Sequence, residues 1–326
     1  MYKLDYIQNV HLELSSKCQA RCPMCPRRMN GGPMNPLFTP EEISLSTFKQ
    51  WFPINFIRQL YSFLLCGNLG DPIIAQDCLE IIQYLRECNP DIQIHMHTNG
   101  SARSTDWWRE LSLSNVKVTF GIDGDHTTHN LYRVGTDYFK IIENAQSFIK
   151  AGGYAEWHML VFKHNEYQIE SCKAVSEQLG FAKFIIKHTT RFVDGKFHVL
   201  DEAGRTVNIL YPTDKSVGMS LQVKDNLTCK TIDCKAIKYR QLYIGANGVV
   251  SPCCWLDLSW HPAHHTNRID YMDQVGELPN LYHNTLQNIF ESNYFNKIEQ
   301  SWSTQPLLEC SKQCGKFDKM GEQFVN

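Results

Sequence analysis

No stretch of the 326-residue chain approaches the ~20 consecutive apolar residues that a membrane-crossing helix needs, so no membrane partner is expected. Its first residues, MYKLDYIQNV, lack a basic stretch leading into an apolar one. A secretory leader is therefore not expected, and a cytoplasmic location is. Neither charge is in excess, since 32 Lys and Arg face 34 Asp and Glu for a net charge of -2. Without a broad electropositive field, nucleic acid and anionic lipid drop out as principal partners. Low-complexity tracts and internal repeats are missing too, and 43% apolar residues suffice for a substantial core. Composition leaves a globular chain of one large domain, or a domain with an appendage.

Cysteine, by contrast, is plentiful, with 13 residues. A large chain in a reducing compartment does not use them as a disulfide framework, so metal or cluster ligation leads. Three stand at 18, 22 and 25, and six at 229, 234, 253, 254, 310 and 314. The other four, at 66, 78, 88 and 172, are scattered and read as small buried hydrophobes.

Short apolar segments recur along the first 190 or so residues: VHLELS, LYSFLL, IQIHMHTNG, VKVTFGIDG, AEWHMLVF and KFIIK. Between them lie helical patterns such as CLEIIQYLREC, YFKIIENAQSFIKAGG and EYQIESCKAVSEQLGF, with glycines at the expected C-caps. Strand and helix alternating about six times predict a parallel sheet. Buried parallel strands are usually apolar throughout, but these alternate. Ile92, Ile94 and Met96 are interleaved with Gln93, His95 and His97; Val116, Val118, Phe120 and Ile122 with Lys117, Thr119, Gly121 and Asp123. One face must pack on helices while the other is polar. That predicts an α/β fold, a partial (βα)6 barrel of TIM type, with a ligand in its lumen and its active end at the strand C-termini. A sheet with one solvated face is the alternative. The barrel is placed at residues 1–194, an irregular bridging segment at 195–228, and a small C-terminal α+β domain at 229–326. In that domain RQLYIGANGVVSPCC predicts a hairpin turning at Ala246, Asn247 and Gly248, and TLQNIFESNYFNKIEQSW predicts one helix.

The first cysteine group, CxxxCxxC, follows the first strand and supplies three thiolates but no fourth. Structural zinc wants four ligands, whereas a cubane with one open iron needs no more than three from protein. Here the sequence resembles the radical S-adenosylmethionine (SAM) superfamily, over most of the chain. The resemblance implies a [4Fe-4S] cluster on Cys18, Cys22 and Cys25, whose open iron binds SAM. A reducing electron then cleaves the sulfonium to a 5′-deoxyadenosyl radical. It also implies cofactor contacts at GNLGDP (Gly67, Asn68, Gly70, Asp71), at TNG (Asn99) and at GIDG (Gly121, Asp123), with Met24 against adenine. Asp71 replaces the family's usual Glu, and Gly121 stands where a ribose-contacting Ser is common.

CKAIKYRQLYIGANGVVSPC resembles the opening of SPASM and twitch domains. Too few cysteines follow for two further cubanes, which implies one auxiliary [4Fe-4S] cluster on Cys234, Cys253, Cys310 and Cys314. Cys229 competes for a place in that set. Cys254 should point away from it, as the strand neighbour of Cys253, and four thiolates would also suit zinc. His97, His95, Lys117 and Asp123 are expected to face the lumen. His97 and Arg133 are the candidate catalytic or substrate-binding residues, Arg133 through a carboxylate or phosphate. The family implies hydrogen abstraction from a peptide or protein residue (crosslink, epimerisation or oxidation), with an electron donor such as flavodoxin or ferredoxin. The alternatives are a twitch-type dehydrogenase of a small molecule and a non-catalytic iron-sulfur or zinc protein.

Overall fold

The computed structural model describes residues 2–214, 231–261 and 274–316. Strand and helix alternate through the first part: β1 (Asn9–Leu12), α1 (Leu45–Trp51), α2 (Ile54–Gln59), β2 (Ser62–Leu65), α3 (Cys78–Cys88), β3 (Gln93–Thr98), α4 (Thr105–Leu113), β4 (Val116–Gly121), α5 (His129–Tyr132), α6 (Tyr138–Lys150), β5 (Tyr154–Leu160), α7 (Ile169–Leu179) and β6 (Lys183–Lys187). Local chemistry sets the helix ends. Ser44, Ser104 and Asp137 accept backbone N–H groups at the starts of α1, α4 and α6, and left-handed Gly180 closes α7.

Strands β1 to β6 pair in parallel and in chain order. In β3 and β4 the alternation is the one read from the sequence. Val10, Leu12, Phe63, Leu65, Ile94, Met96, Val118 and Phe120 are at most 1% exposed and belong to the main core. Phe120 packs there on Trp108 of α4 and Phe148 of α6, with ring centroids 5.1 and 6.4 Å away. The polar set His11, His95, His97, Thr119 and Glu156 occupies the opposite, lumen face.

Residues 197–210 depart from the irregular segment expected there. They form a bulged hairpin of β7 (Phe197–Leu200) and β8 (Thr206–Leu210). Its turn is built by Asp201, whose side chain accepts from the N–H groups of Ala203 and Arg205, and by Gly204 at φ +77°.

Further on come β9 (Thr231–Ile232), α8 (Lys235–Lys238), β10 (Gln241–Ile244), β11 (Val250–Ser251), α9 (Cys254–Trp260), α10 (Leu286–Glu291), α11 (Tyr294–Thr304), α12 (Leu308–Cys314) and β12 (Gly315–Lys316). The hairpin β10–β11 turns at Gly248, φ +80°, as expected. It does not stand apart from the barrel: β10 pairs in parallel with β1, giving one sheet of order β11-β10-β1-β2-β3-β4-β5-β6. The single helix expected from residue 285 onward is broken, because Ser292 is extended (ψ 167°) and separates α10 from α11. The break lets Phe295 stack on Tyr2 at 4.5 Å while Phe290 approaches the same ring at 6.1 Å. Among the described residues no helix is long and apolar enough to cross a membrane.

Candidate functional site

Cys18, Cys22 and Cys25 lie on the loop that leaves the C-terminal end of β1, all three as free, partly buried thiols. Arg27, 4% exposed, holds that loop from within: Nη1 donates to the carbonyl of Cys18 at 2.9 Å and Nη2 to that of Ala20 at 2.6 Å. Burial works against the guanidinium's charge, yet Cys25 and Cys18 beside it keep it firmly protonated. Burial, then Asp71, pushes the Cys18 thiol up to about 12, and burial likewise raises Cys22. Thiols so placed ionise only when a cation compensates them, which is the chemistry of a metal or cluster ligand.

The loop 67–72 closes the mouth beside them. Glu13, just past β1 and 2% exposed, accepts from the N–H groups of Leu69 (2.7 Å) and Gly70 (2.9 Å). Gly67 and Gly70 are required by this packing, since a Cβ on Gly67 would stand 2.6 Å from Glu13 Oε1 and one on Gly70 1.8 Å from the carbonyl of Ser15. Asp71, 5% exposed, spends its carboxylate internally, accepting from Ile73 N, Thr98 Oγ1, Asn99 N and Asn99 Nδ2. Asn99 in turn reaches Cys18 Sγ at 3.5 Å, and its Oδ1 accepts from Gln19 at 2.7 Å. Asp71, Asn99 and Cys18 thus form one hydrogen-bonded line. Asn68 turns its side chain the other way, toward α9.

At the end of β4, Gly121 leaves room for Arg133, whose Nη2 would lie 2.6 Å from a Cβ there. The carboxylate Arg133 meets is the protein's own: its Nε donates to Asp123 Oδ2 at 2.6 Å. Strand alternation suggested that Asp123 faces the lumen; its carboxylate is taken up by Arg133 and lies near Cys22. Because β4 stops at Gly121, Asp123 lies in the following turn, 0% exposed, and also accepts from Leu160 N at 2.6 Å. Its own N–H donates to His129 Nδ1 at 3.1 Å, which fixes that imidazole as the neutral Nε2–H tautomer facing Thr136. Met24 is 6% exposed in a second apolar cluster with Tyr132, Phe162, Val199 and Leu210, against which Cys22 packs. The β7–β8 hairpin supplies two of these residues, and Glu202 at its tip pairs with Arg28 (2.7 Å) and Arg21 (3.4 Å) of the cysteine loop. His97 is solvent-accessible inside the concave lumen, edge-on to His158 at 5.9 Å. Even so, enough protein surrounds it that burial, followed by His158 and His11, lowers its pKa to about 4.

Of the second cysteine set, Cys234 and Cys314 meet directly. Pairing of β9 with β12 places Cys234 beside Cys314: Asp233 N donates to the carbonyl of Cys314 at 2.8 Å and Lys235 N to its Sγ at 3.5 Å. The two thiols are hydrogen-bonded, which holds Cys314 down and pushes Cys234 up. Burial raises Cys253 and Cys310 to about 12, and each is an electrostatic neighbour of Cys314. Cys254 points instead toward Cys66 and Asp257. The reason differs from the one expected, because Cys253 caps a helix and Cys254 is its first residue, so neither lies on a strand. Cys229 lies outside the described residues. Among those described, no three His, Cys, Asp or Glu side chains gather closely enough to hold a single metal ion.

Sequence reasoning missed Glu13 and Arg27. An arginine two residues after the third cysteine was the available signal for the latter.

Residues 234–315 match the SPASM family, described as an iron-sulfur cluster-binding domain. No curated protein matches the chain. Among solved structures, Streptococcus suis SuiB bound to S-adenosylmethionine is similar with a TM-score of 0.59 and 14% identity, over 89% of this chain and 66% of that one. The same protein bound to its precursor peptide SuiA gives 0.56 and 12%, over 89% and 65%. Native anSMEcpe with bound AdoMet and a Cp18Cys peptide gives 0.57 and 17%, over 94% and 86%. The chain therefore spans about two thirds of the SuiB chains, and at these identities the likeness is one of fold. Over residues 234–315 the chain matches the SPASM iron-sulfur cluster-binding family, and its partial barrel has the fold of these structures.

Proposed function

We propose that this chain is a radical SAM enzyme that abstracts hydrogen from a residue of a peptide or protein. One observation carries the reading: three partly buried thiols sit at the C-terminal mouth of a parallel partial barrel, on a loop braced by Arg27 and by the line from Asp71 through Asn99. Cys18, Cys22 and Cys25 would hold a [4Fe-4S] cluster, and Cys234, Cys253, Cys310 and Cys314 an auxiliary one. Bound there, cluster and SAM supply the electron and the 5′-deoxyadenosyl radical.

The chain's own residues position and shield. Met24, Tyr132 and Phe162 cover the Cys22 side of the site with apolar surface, which keeps water from a reactive carbon. Arg133, held by Asp123, places a fixed positive charge beside Cys22. His97 opens onto the lumen as a neutral imidazole at pH 7, able to orient a substrate amide or hydroxyl by donating or accepting a hydrogen bond. The peptide class is supported by the SuiA and Cp18Cys complexes of proteins with this fold. A flavodoxin or ferredoxin would deliver the electron.

The test is anaerobic loading with iron and sulfide, addition of SAM and dithionite, and measurement of 5′-deoxyadenosine. A peptide library would then be screened for mass shifts. Nucleoside formed in step with a changed peptide is expected; loaded protein that releases none would end the proposal.

A further inference from the structure

The loop 67–72 touches Cys25 on one side and the helix that follows Cys253 on the other. On one side the carbonyl of Leu69 lies 3.8 Å from Cys25 Sγ. On the other, Asn68 Nδ2 donates to the carbonyl of Cys254 at 2.9 Å and to Asp257 Oδ2 at 3.0 Å. Both acceptors lie in the first turn of α9, the helix capped by Cys253, and Asp257 N donates back to the Cys253 carbonyl at 3.3 Å. Asp257 is 2% exposed, so the carboxyl acceptor is shielded from bulk water, which strengthens a hydrogen bond to it. An amide suits the place, because one NH2 group offers two donors, one to a carbonyl and one to a carboxylate. Alanine would remove both, and aspartate would set two carboxylates together.

We propose that Asn68 is a positioning residue for the C-terminal cysteine site: its side chain fixes Cys253 relative to the barrel loop that also contacts Cys25, so a single loop registers the two sites against each other. This rests on the reading that the C-terminal set holds an iron-sulfur cluster. It assigns the Asn68 side chain to the SPASM segment and leaves nucleotide contact to the rest of the loop.

The experiment uses the full chain, loaded anaerobically, with Cys18, Cys22 and Cys25 replaced by alanine so that only the C-terminal cluster contributes. Asn68→Ala and Asn68→Gln are compared with Asn68 by iron content and by the electron paramagnetic resonance spectrum after reduction. Expected is a shifted and broadened spectrum in Asn68→Ala at unchanged iron content, with Asn68→Gln, which keeps the amide, returning toward the parent. An unchanged spectrum in Asn68→Ala overturns the inference. Should Asn68→Ala fail to load, recovery in Asn68→Gln supports it and loss in both overturns it. A chain that never releases 5′-deoxyadenosine would sink the functional proposal but leave this comparison readable.

Discussion

His129 shows how one buried side chain can set a pH limit. Burial lowers its pKa from 6.5 to about 4. The unfolded chain takes up the proton near 6.5, while the folded one refuses it until about 4, since Nδ1 is engaged by the Asp123 N–H. Between those values unfolding binds a proton, so stability falls as pH drops from 6.5 toward 4. The full window is worth on the order of 3 kcal/mol at 1.36 kcal/mol per unit. Denaturant titration of the cluster-free chain at pH 7 and pH 4.5 should show this loss, and His129→Gln should be less stable at pH 7 but flatter with pH. Comparing the two proteins cancels Glu13 and Asp71, whose raised pKa values act in the opposite sense. A second single-atom constraint sits at Gly70, where a methyl group would meet the Ser15 carbonyl at 1.8 Å. Gly70→Ala should cost about 3 kcal/mol by overpacking, read as a lower denaturation midpoint, and should slow iron uptake at the N-terminal thiols.

The elements obey the period of their sequence where packing is regular. Strands β3 and β4 were legible because apolar residues alternate with polar ones, β2 and β6 as short apolar runs, and α6 and α7 because glycine follows their ends. Phe120, enclosed by Trp108, Phe148 and Phe181, tests that packing. Phe120→Ala should destabilise by about 3–5 kcal/mol, measured by the same titration. Where one residue redirects the chain, period was a poor guide. Ser292 interrupts an unbroken apolar pattern, and the Asp201 side chain builds a turn inside a polar stretch that carries no strand period. The first cysteine group stands out by its CxxxCxxC spacing, and the second by its resemblance to SPASM and twitch domains. Arg27, Glu13 and the true direction of Asn68 were not, since each depends on which distant loop folds back upon it.

For the whole molecule, two cysteine sets imply two separable iron centres. The loaded wild-type chain should carry about eight irons, and about four when Cys18, Cys22 and Cys25 are all replaced by alanine or when Cys234, Cys253, Cys310 and Cys314 are, counted by colorimetric assay. Only the second variant should retain any SAM cleavage.

The parallel pairing of β10 with β1 bears on how the chain can be shortened. Without the segment after residue 230, the barrel would present the bare backbone donors and acceptors of β1 to solvent. Such a flank recruits strands from other molecules. A fragment ending at the bridge should therefore precipitate or self-associate on expression, whereas the same length grafted with any covering strand should stay dispersed. Removing residues 231–326 would strip the first strand of its neighbour, so trimming is safer at loops than at this seam.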